Sequence, residues 1–297
     1  MSIIEKALEK SRSATNNTGR AATSPPAAVD QSMDANPGTN EVEPSIGANG
    51  ENNRFCNIDL EALSNKGIIT PGSARTRIKE EFRLIKRPLL DKAFGAKSAR
   101  GGKHKNVIMV TSATPGEGKT FNSISLAISI ADEQNHRVLL IDADVINPSV
   151  ARTFEVDEDV GLVDYLSGDF SDIADLLNQT NIEDLSFLQA GKRHHLTTEL
   201  LASRQMAQLI DEISNRYPDR IIILDSPPLM HTSEASVLAS LAGQVILVVA
   251  ENDVTQSDVK KAIARLDNRT DIGLILNKSR YSENRYGYYY GYGENRE

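Results

Sequence analysis

Nine consecutive residues, Ser112-Ala113-Thr114-Pro115-Gly116-Glu117-Gly118-Lys119-Thr120, constrain this chain more than any others. An apolar run, Val107-Ile108-Met109-Val110, precedes them. A helical pattern through Phe121, Ile124, Leu126, Ala127, Ile128 and Ile130 follows. Strand, glycine-rich loop and helix make the frame of a phosphate-binding P-loop. The glycines let backbone N–H groups turn inward onto phosphate oxygens, and the helix points its positive end at the same anion. Pro115, Gly116, Glu117, Gly118, Lys119, Thr120 and Phe121 are therefore expected to line a nucleotide. Lys119 would reach its β- and γ-phosphates, and the Thr120 hydroxyl would ligate Mg²⁺. Ala113 stands where the common pattern has glycine, so the turn must rely on Pro115-Gly116.

The rest of residues 106–278 alternates apolar runs with helical patterns. Strands are expected at Val107–Thr111, Val138–Asp142, Leu185–Gln189, Ile221–Asp225, Val245–Ala250 and Gly273–Asn277. Helices are expected at Phe121–Glu133, Asp172–Leu177, Glu199–Asn215 and Thr255–Arg265. Near-continuous apolar strands are those covered on both faces, and the alternation implies a doubly wound, mostly parallel α/β sheet. Ligands bind such sheets at the carboxyl ends of the strands.

Two of those ends are acidic. Leu139-Leu140-Ile141 runs into Asp142-Ala143-Asp144, whose carboxylates at i and i+2 point to one side of an extended chain. Such a pair beside a nucleotide can hold Mg²⁺ or accept a proton from an attacking hydroxyl. Ile221-Ile222-Ile223-Leu224-Asp225 has the hydrophobic-strand-then-Asp form of a Walker B motif, with Asp225 on the metal. Asn277, ending the last strand, carries the donor and acceptor that adenine needs. The five histidines show no metal spacing, and His194-His195 carries no assignment.

The flanking segments differ in character. Residues 1–10 place Ile3, Ile4, Ala7 and Leu8 on one face of a short amphipathic helix. Residues 11–55 are rich in small polar residues, and a disordered linker is expected over 11–70. Residues 71–105 hold eleven Lys and Arg against three Asp and Glu, although the whole chain carries a net charge of −8. They are read as a basic helical segment that Pro88 ends or kinks. Glu80, Arg83 and Lys86 recur every three residues, as an ion-pair ladder or a contact between subunits. The flexible tail, 279–297, holds Tyr281, Tyr286, Tyr288, Tyr289, Tyr290 and Tyr292, six of the chain's eight tyrosines. These are candidate phosphoacceptors, each phosphate adding about −1.5 to −2 charges. The single cysteine, Cys56, excludes an internal disulfide and fits a reducing compartment. No apolar run approaches the ~20 residues of a membrane helix. The basic segment alone is weak support for a nucleic-acid partner, and none is expected.

Together these residues resemble the bacterial tyrosine kinases that regulate capsule and exopolysaccharide export. The resemblance covers about residues 75–297. It rests on Pro115-Gly116-Glu117-Gly118-Lys119-Thr120, Asp142 and Asp144, Asp225-Ser226-Pro227-Pro228, Glu199-Leu200-Leu201-Ala202-Ser203 and the tyrosine cluster. It implies a deviant-Walker P-loop kinase domain over 106–278 that uses ATP and Mg²⁺. Catalysis would fall to Lys119, Asp142 and Asp144, with Asp142 the proton acceptor, and the metal to Thr120, Asp142 and Asp225. It also implies a homo-oligomeric ring, such as an octamer, built through Glu80, Arg83 and Lys86, with tails entering neighbouring sites. Lys86 replaces the family's second arginine, and Val145-Ile146-Asn147-Pro148 lacks the arginine usual after the acid pair. The start Met-Ser-Ile-Ile-Glu-Lys-Ala-Leu-Glu-Lys looks like the exosortase-associated branch. That branch implies a cytoplasmic kinase recruited to the membrane by the cytoplasmic segment of a chain-length-determinant protein. The alternatives are a partitioning-type ATPase and a nucleotide-gated scaffold. The P-loop lacks the extra lysine of the partitioning enzymes, and the chain ends in tyrosines rather than an amphipathic membrane helix.

Overall fold

Every second residue of the central strands packs to the same side, and this alternation builds two cores. The computed structural model describes residues 54–74, 76–95, 103–133, 136–192, 197–216, 219–267 and 271–279. Eight strands form one sheet: β1 (Arg54–Cys56), β2 (Val107–Ser112), β3 (Arg137–Asp142), β4 (Asn178–Thr180), β5 (Leu185–Leu188), β6 (Arg220–Asp225), β7 (Gln244–Ala250) and β8 (Asp271–Asn277). Their order is β1-β4-β5-β3-β6-β2-β7-β8, parallel throughout except for β4 against β5.

The helices are α1 (Leu60–Asn65), α2 (Arg77–Phe94), α3 (Lys119–Ala131), α4 (Val150–Phe154), α5 (Leu162–Ser167), α6 (Thr197–Leu201), α7 (Arg204–Arg216), α8 (Glu234–Leu241) and α9 (Gln256–Ile263). Val107, Met109, Leu139, Ile141, Ile222, Leu224, Val245 and Leu247 face α7 and α8. Ile108, Val110, Val138, Leu140, Ile221, Ile223, Ile246 and Val248 face α2 and α3. Burial on both faces is why these strands read as unbroken apolar runs. Among the described residues no helix is long and apolar enough to cross a membrane.

Several expectations are corrected. Residues 54–70, assigned to the linker, are ordered. β1 pairs with β4, and the Asn181 side chain grips both the N–H and the C=O of Ile58, at 2.9 and 3.0 Å. Ile58, Leu63, Ile68 and Ile69 are buried in the second core. The segment expected as a helix at Asp172–Leu177 holds only a 3₁₀ turn, Ile173–Leu176. The helix expected over Glu199–Asn215 breaks in two. Ala202 and Ser203 close α6 with i→i+3 bonds, and the Ser203 hydroxyl then accepts the Met206 N–H at the start of α7. Pro88 does not end α2, which runs to Phe94. The carbonyl deprived of its donor belongs to Leu84, an exposed residue, while Phe82 and Leu89 anchor the helix on either side.

Lys86 does not face outward with Glu80 and Arg83. It is buried, bonded to the Ser129 carbonyl and paired with Glu133 at 2.9 Å. Glu80 and Arg83 pair with each other at 3.0 Å on the open surface. The helix at 1–10, the linker up to 53, His194-His195 and the tyrosines from Tyr281 onward lie outside the described residues.

Candidate active site

The P-loop folds as its glycines require. Gly116 and Gly118 have φ of 84° and 96°, a region costly for any side chain, and Gly118 caps α3. A Cβ on Gly118 would also meet the Asn277 amide nitrogen. The loop thus presents its amides at the N-terminus of a 13-residue helix, a ready anion cradle.

Strand register brings the acids together. Asp142 ends β3 directly beside Asp225 at the end of β6, and both are buried. Thr120 at the start of α3 donates to Asp225 Oδ2 at 2.6 Å, and Ser123 donates to Asp225 Oδ1 at 2.9 Å. Asp142 Oδ2 accepts the Ser149 and Val150 N–H groups at the start of α4, both at 2.9 Å. Asp142 Oδ1 accepts the Asp144 N–H at 3.2 Å. The Lys119 ammonium lies 3.6 Å from Asp144. All five residues assigned to catalysis or metal therefore converge: Lys119, Thr120, Asp142, Asp144 and Asp225.

Burial and crowding raise the proton affinity of the three acids. Burial, then the neighbouring Asp225, pushes the Asp142 carboxyl well above the usual range. Burial raises Asp225 to about 6, against the opposing pull of the Thr120 hydroxyl and Lys119. Asp144 is raised by burial and drawn back by Lys119. Two abutting buried carboxylates are an unbalanced negative charge, which a cation brought in with a nucleotide would balance. Among the described residues no three His, Cys, Asp or Glu side chains converge as a self-sufficient metal cage. The donor set suits an ion that completes its octahedron with phosphate and water, as Mg²⁺ does.

Two assigned residues are placed otherwise than expected. The Glu117 side chain turns inward, away from the phosphate cradle, and is 1% exposed. One oxygen accepts the Thr114 N–H and hydroxyl at 2.5 and 3.1 Å, and the other accepts the Ala250 N–H at 3.1 Å. Only its backbone is left for the nucleotide. Asn277 donates its side-chain amide to the Glu117 carbonyl at 2.8 Å, so it braces the loop. Pro115 and Gly116 lie open on the loop, and Phe121 is half-buried against the second core. Where the family's arginine is missing, the nearest guanidinium is that of Arg152, which donates to the Pro148 carbonyl at 2.5 Å.

Two contributors escaped the sequence reading. The Ser149 hydroxyl sits 2.6 Å from that of Thr120, and Ser123 reaches Asp225. Ser123 was findable, lying one turn beyond Lys119 on the same helix face. Ser149 stands at the start of a helix of only five residues, too short to announce itself.

The fold and this site define a P-loop NTPase of the deviant-Walker, ParA- and MinD-like class, a binder of nucleotides. Residues 103–289 match the ParA family model, described as NUBPL iron-transfer P-loop NTPase. Within that class, the chain belongs to the bacterial tyrosine kinase family and is a protein-tyrosine kinase of the bacterial type. The tyrosine-protein kinase CpsD of Streptococcus agalactiae is 34% identical over 196 residues, 65% of this chain and 84% of that protein. The kinase domain of the Escherichia coli tyrosine kinase ETK superposes with a TM-score of 0.56 at 28% identity, covering 76% of this chain and 98% of that one. The chimerical protein CapA2B2 superposes with a TM-score of 0.57 at 25% identity, covering 73% and 96%.

Proposed function

We propose that this protein is an autokinase. It transfers the γ-phosphate of ATP to tyrosines of its own C-terminal segment, presented by a neighbouring subunit, and so regulates the length and export of an exopolysaccharide. The observation that carries this reading is the convergence of Lys119, Thr120, Asp142, Asp144 and Asp225 at the strand ends of a chain from this family.

The P-loop amides and Lys119 hold the phosphates in line, and Lys119 stabilises the group in transfer. Thr120, Asp142 and Asp225 are the residues to hold Mg²⁺, which when bound supplies Lewis-acid charge to the phosphate oxygens. Asp142 accepts the tyrosine proton, its raised proton affinity matching that role. Asp144 keeps the Lys119 ammonium at the site. Positioning and charge supply most of the catalysis.

Glu80 and Arg83, exposed on α2, are the ring contact that remains once Lys86 is assigned inward. Phosphate on the tails packs negative charge around the acidic sites, and the ring loosens. The N-terminal sequence supports the exosortase-associated branch, in which the cytoplasmic end of a membrane chain-length protein recruits and activates the kinase. Similarity to the chimera CapA2B2 agrees with a kinase made to work joined to another protein.

Incubation with Mg²⁺-ATP, alone and with the partner's cytoplasmic segment, tests the reading. Phosphate is mapped by mass spectrometry, with Lys119→Met as control. Phosphotyrosine between Tyr281 and Tyr292 that vanishes in the variant is expected. Released phosphate without phosphotyrosine would make the protein an ATPase, and bound ATP with neither product would make it a scaffold.

A further inference from the structure

β8 is the last strand of the sheet, with no neighbour on its outer side among the described residues. It is also apolar there. Leu274 and Leu276, two residues apart and so on one face, are each 58% exposed. A cavity of about 770 Å³ wraps this edge and is bounded by Leu84, Ile85 and Phe121. Leu84 is 68% exposed. Sheets ordinarily blunt such an edge with charge, proline or a covering segment. From Ile272 to Asn277 this strand has neither charge nor proline.

The chain itself supplies a matching strand. Lys278 adopts a left-handed conformation, φ 56°, which turns the chain away from the line of β8. Beyond it, Tyr286, Tyr288, Tyr290 and Tyr292 stand at alternate positions. In an extended segment all four fall on one face. Acceptor tyrosines need only be accessible, and nothing in that role demands a period of two. Tyr286–Tyr292 is seven residues long, as is β8. The residues between, 278–285, are enough to reverse the chain at little entropic cost.

We propose that residues 286–292 add to the outer edge of β8 of the same chain as an antiparallel strand, laying their alternate tyrosines over Leu274 and Leu276. Edge hydrogen bonds give the segment its register, and ring-on-leucine contacts give it its face. Phosphates on those rings would bring charge onto an apolar surface and free the segment. That last consequence rests on the kinase reading, whereas the docking does not.

Hydrogen–deuterium exchange of the full chain without nucleotide tests the docking apart from any phosphoryl transfer. A synthetic peptide of residues 279–297 serves as the unstructured reference. Residues 286–292 in the protein are expected to exchange about tenfold or more slowly than in the peptide. A Leu274→Lys/Leu276→Lys variant is expected to restore fast exchange there while the P-loop peptides stay unchanged. Should the lysines unfold the sheet, Tyr289→Pro breaks the added strand without touching the folded residues and gives the same readout. Fast exchange of 286–292 in the unaltered protein overturns the proposal. So does protection lost on dilution to monomer, which assigns the segment to a second copy. Protection indifferent to both variants places the tail elsewhere and also overturns it.

Discussion

The side-chain amide of Asn277 donates to the backbone carbonyl of Glu117 at 2.8 Å, tying the end of β8 to the middle of the P-loop. The phosphate cradle is therefore shaped by the far strand of the sheet as well as by its own glycines. Asn277→Ala removes this brace along with any adenine contact. At about 1 kcal/mol per hydrogen bond, KM for ATP is expected to rise roughly five- to tenfold. Steady-state kinetics check this, and an unchanged KM would sever the link between strand and loop.

Glu117 offers a sharper test of the same brace. Its two oxygens face three donors, so an amide at this position points its NH₂ at an N–H group whichever way it turns. Glu117→Gln is expected to cost about 1–3 kcal/mol of stability. A denaturant titration reads it directly, and a neutral result would mean the side chain is free to leave the loop.

The acids at the strand ends set a pH dependence. Asp225 is raised from 3.8 to about 6, so the folded chain binds its proton more tightly than the unfolded chain does. Stability from this group is present below pH 4 and is lost as pH rises through 6. Asp225→Asn removes the charge while its amide still bonds the Thr120 and Ser123 hydroxyls. Without nucleotide the variant is expected to be more stable than the native chain at pH 8, by up to about 3 kcal/mol, and no more stable at pH 4. Melting curves across that range decide it. The same substitution is expected to abolish phosphoryl transfer.

On α2, neighbouring positions are expected to behave oppositely. Lys86→Met leaves the Ser129 carbonyl and Glu133 without their cation and is expected to cost about 1–3 kcal/mol. Arg83→Ala disturbs an exposed pair, so its effect on stability is expected to be within about 1 kcal/mol. Its effect on mass in solution is expected to be large if the ring forms there. Thermal melts and light scattering on both variants separate the roles.

Local pattern revealed the elements in which each residue's surroundings repeat along the chain. β2, β3, β6 and β7 declared themselves because both faces are covered, and Asp142 and Asp225 because they end such runs. β1 and β4 are three residues each, too short to show a period. The order of residues 54–70 depends on Asn181, more than 120 residues away, which composition cannot register. Lys86 misled because steps of three do not close on a helix. Six residues at 100° each leave it about 120° around from Glu80, which is enough to carry it from the surface into α3. Ser203 hid a helix break because a capping hydroxyl and an interior serine look alike in sequence.

The chain enters the sheet at β1 and leaves it at β8, the two outermost strands. At a spacing of about 4.8 Å these flanks stand roughly 34 Å apart. A subunit wired in this way has a direction: whatever pulls on its start acts at one margin, and its last residues set out from the other. Copies placed side by side would share that polarity, each handing its end to the next in a single sense of circulation.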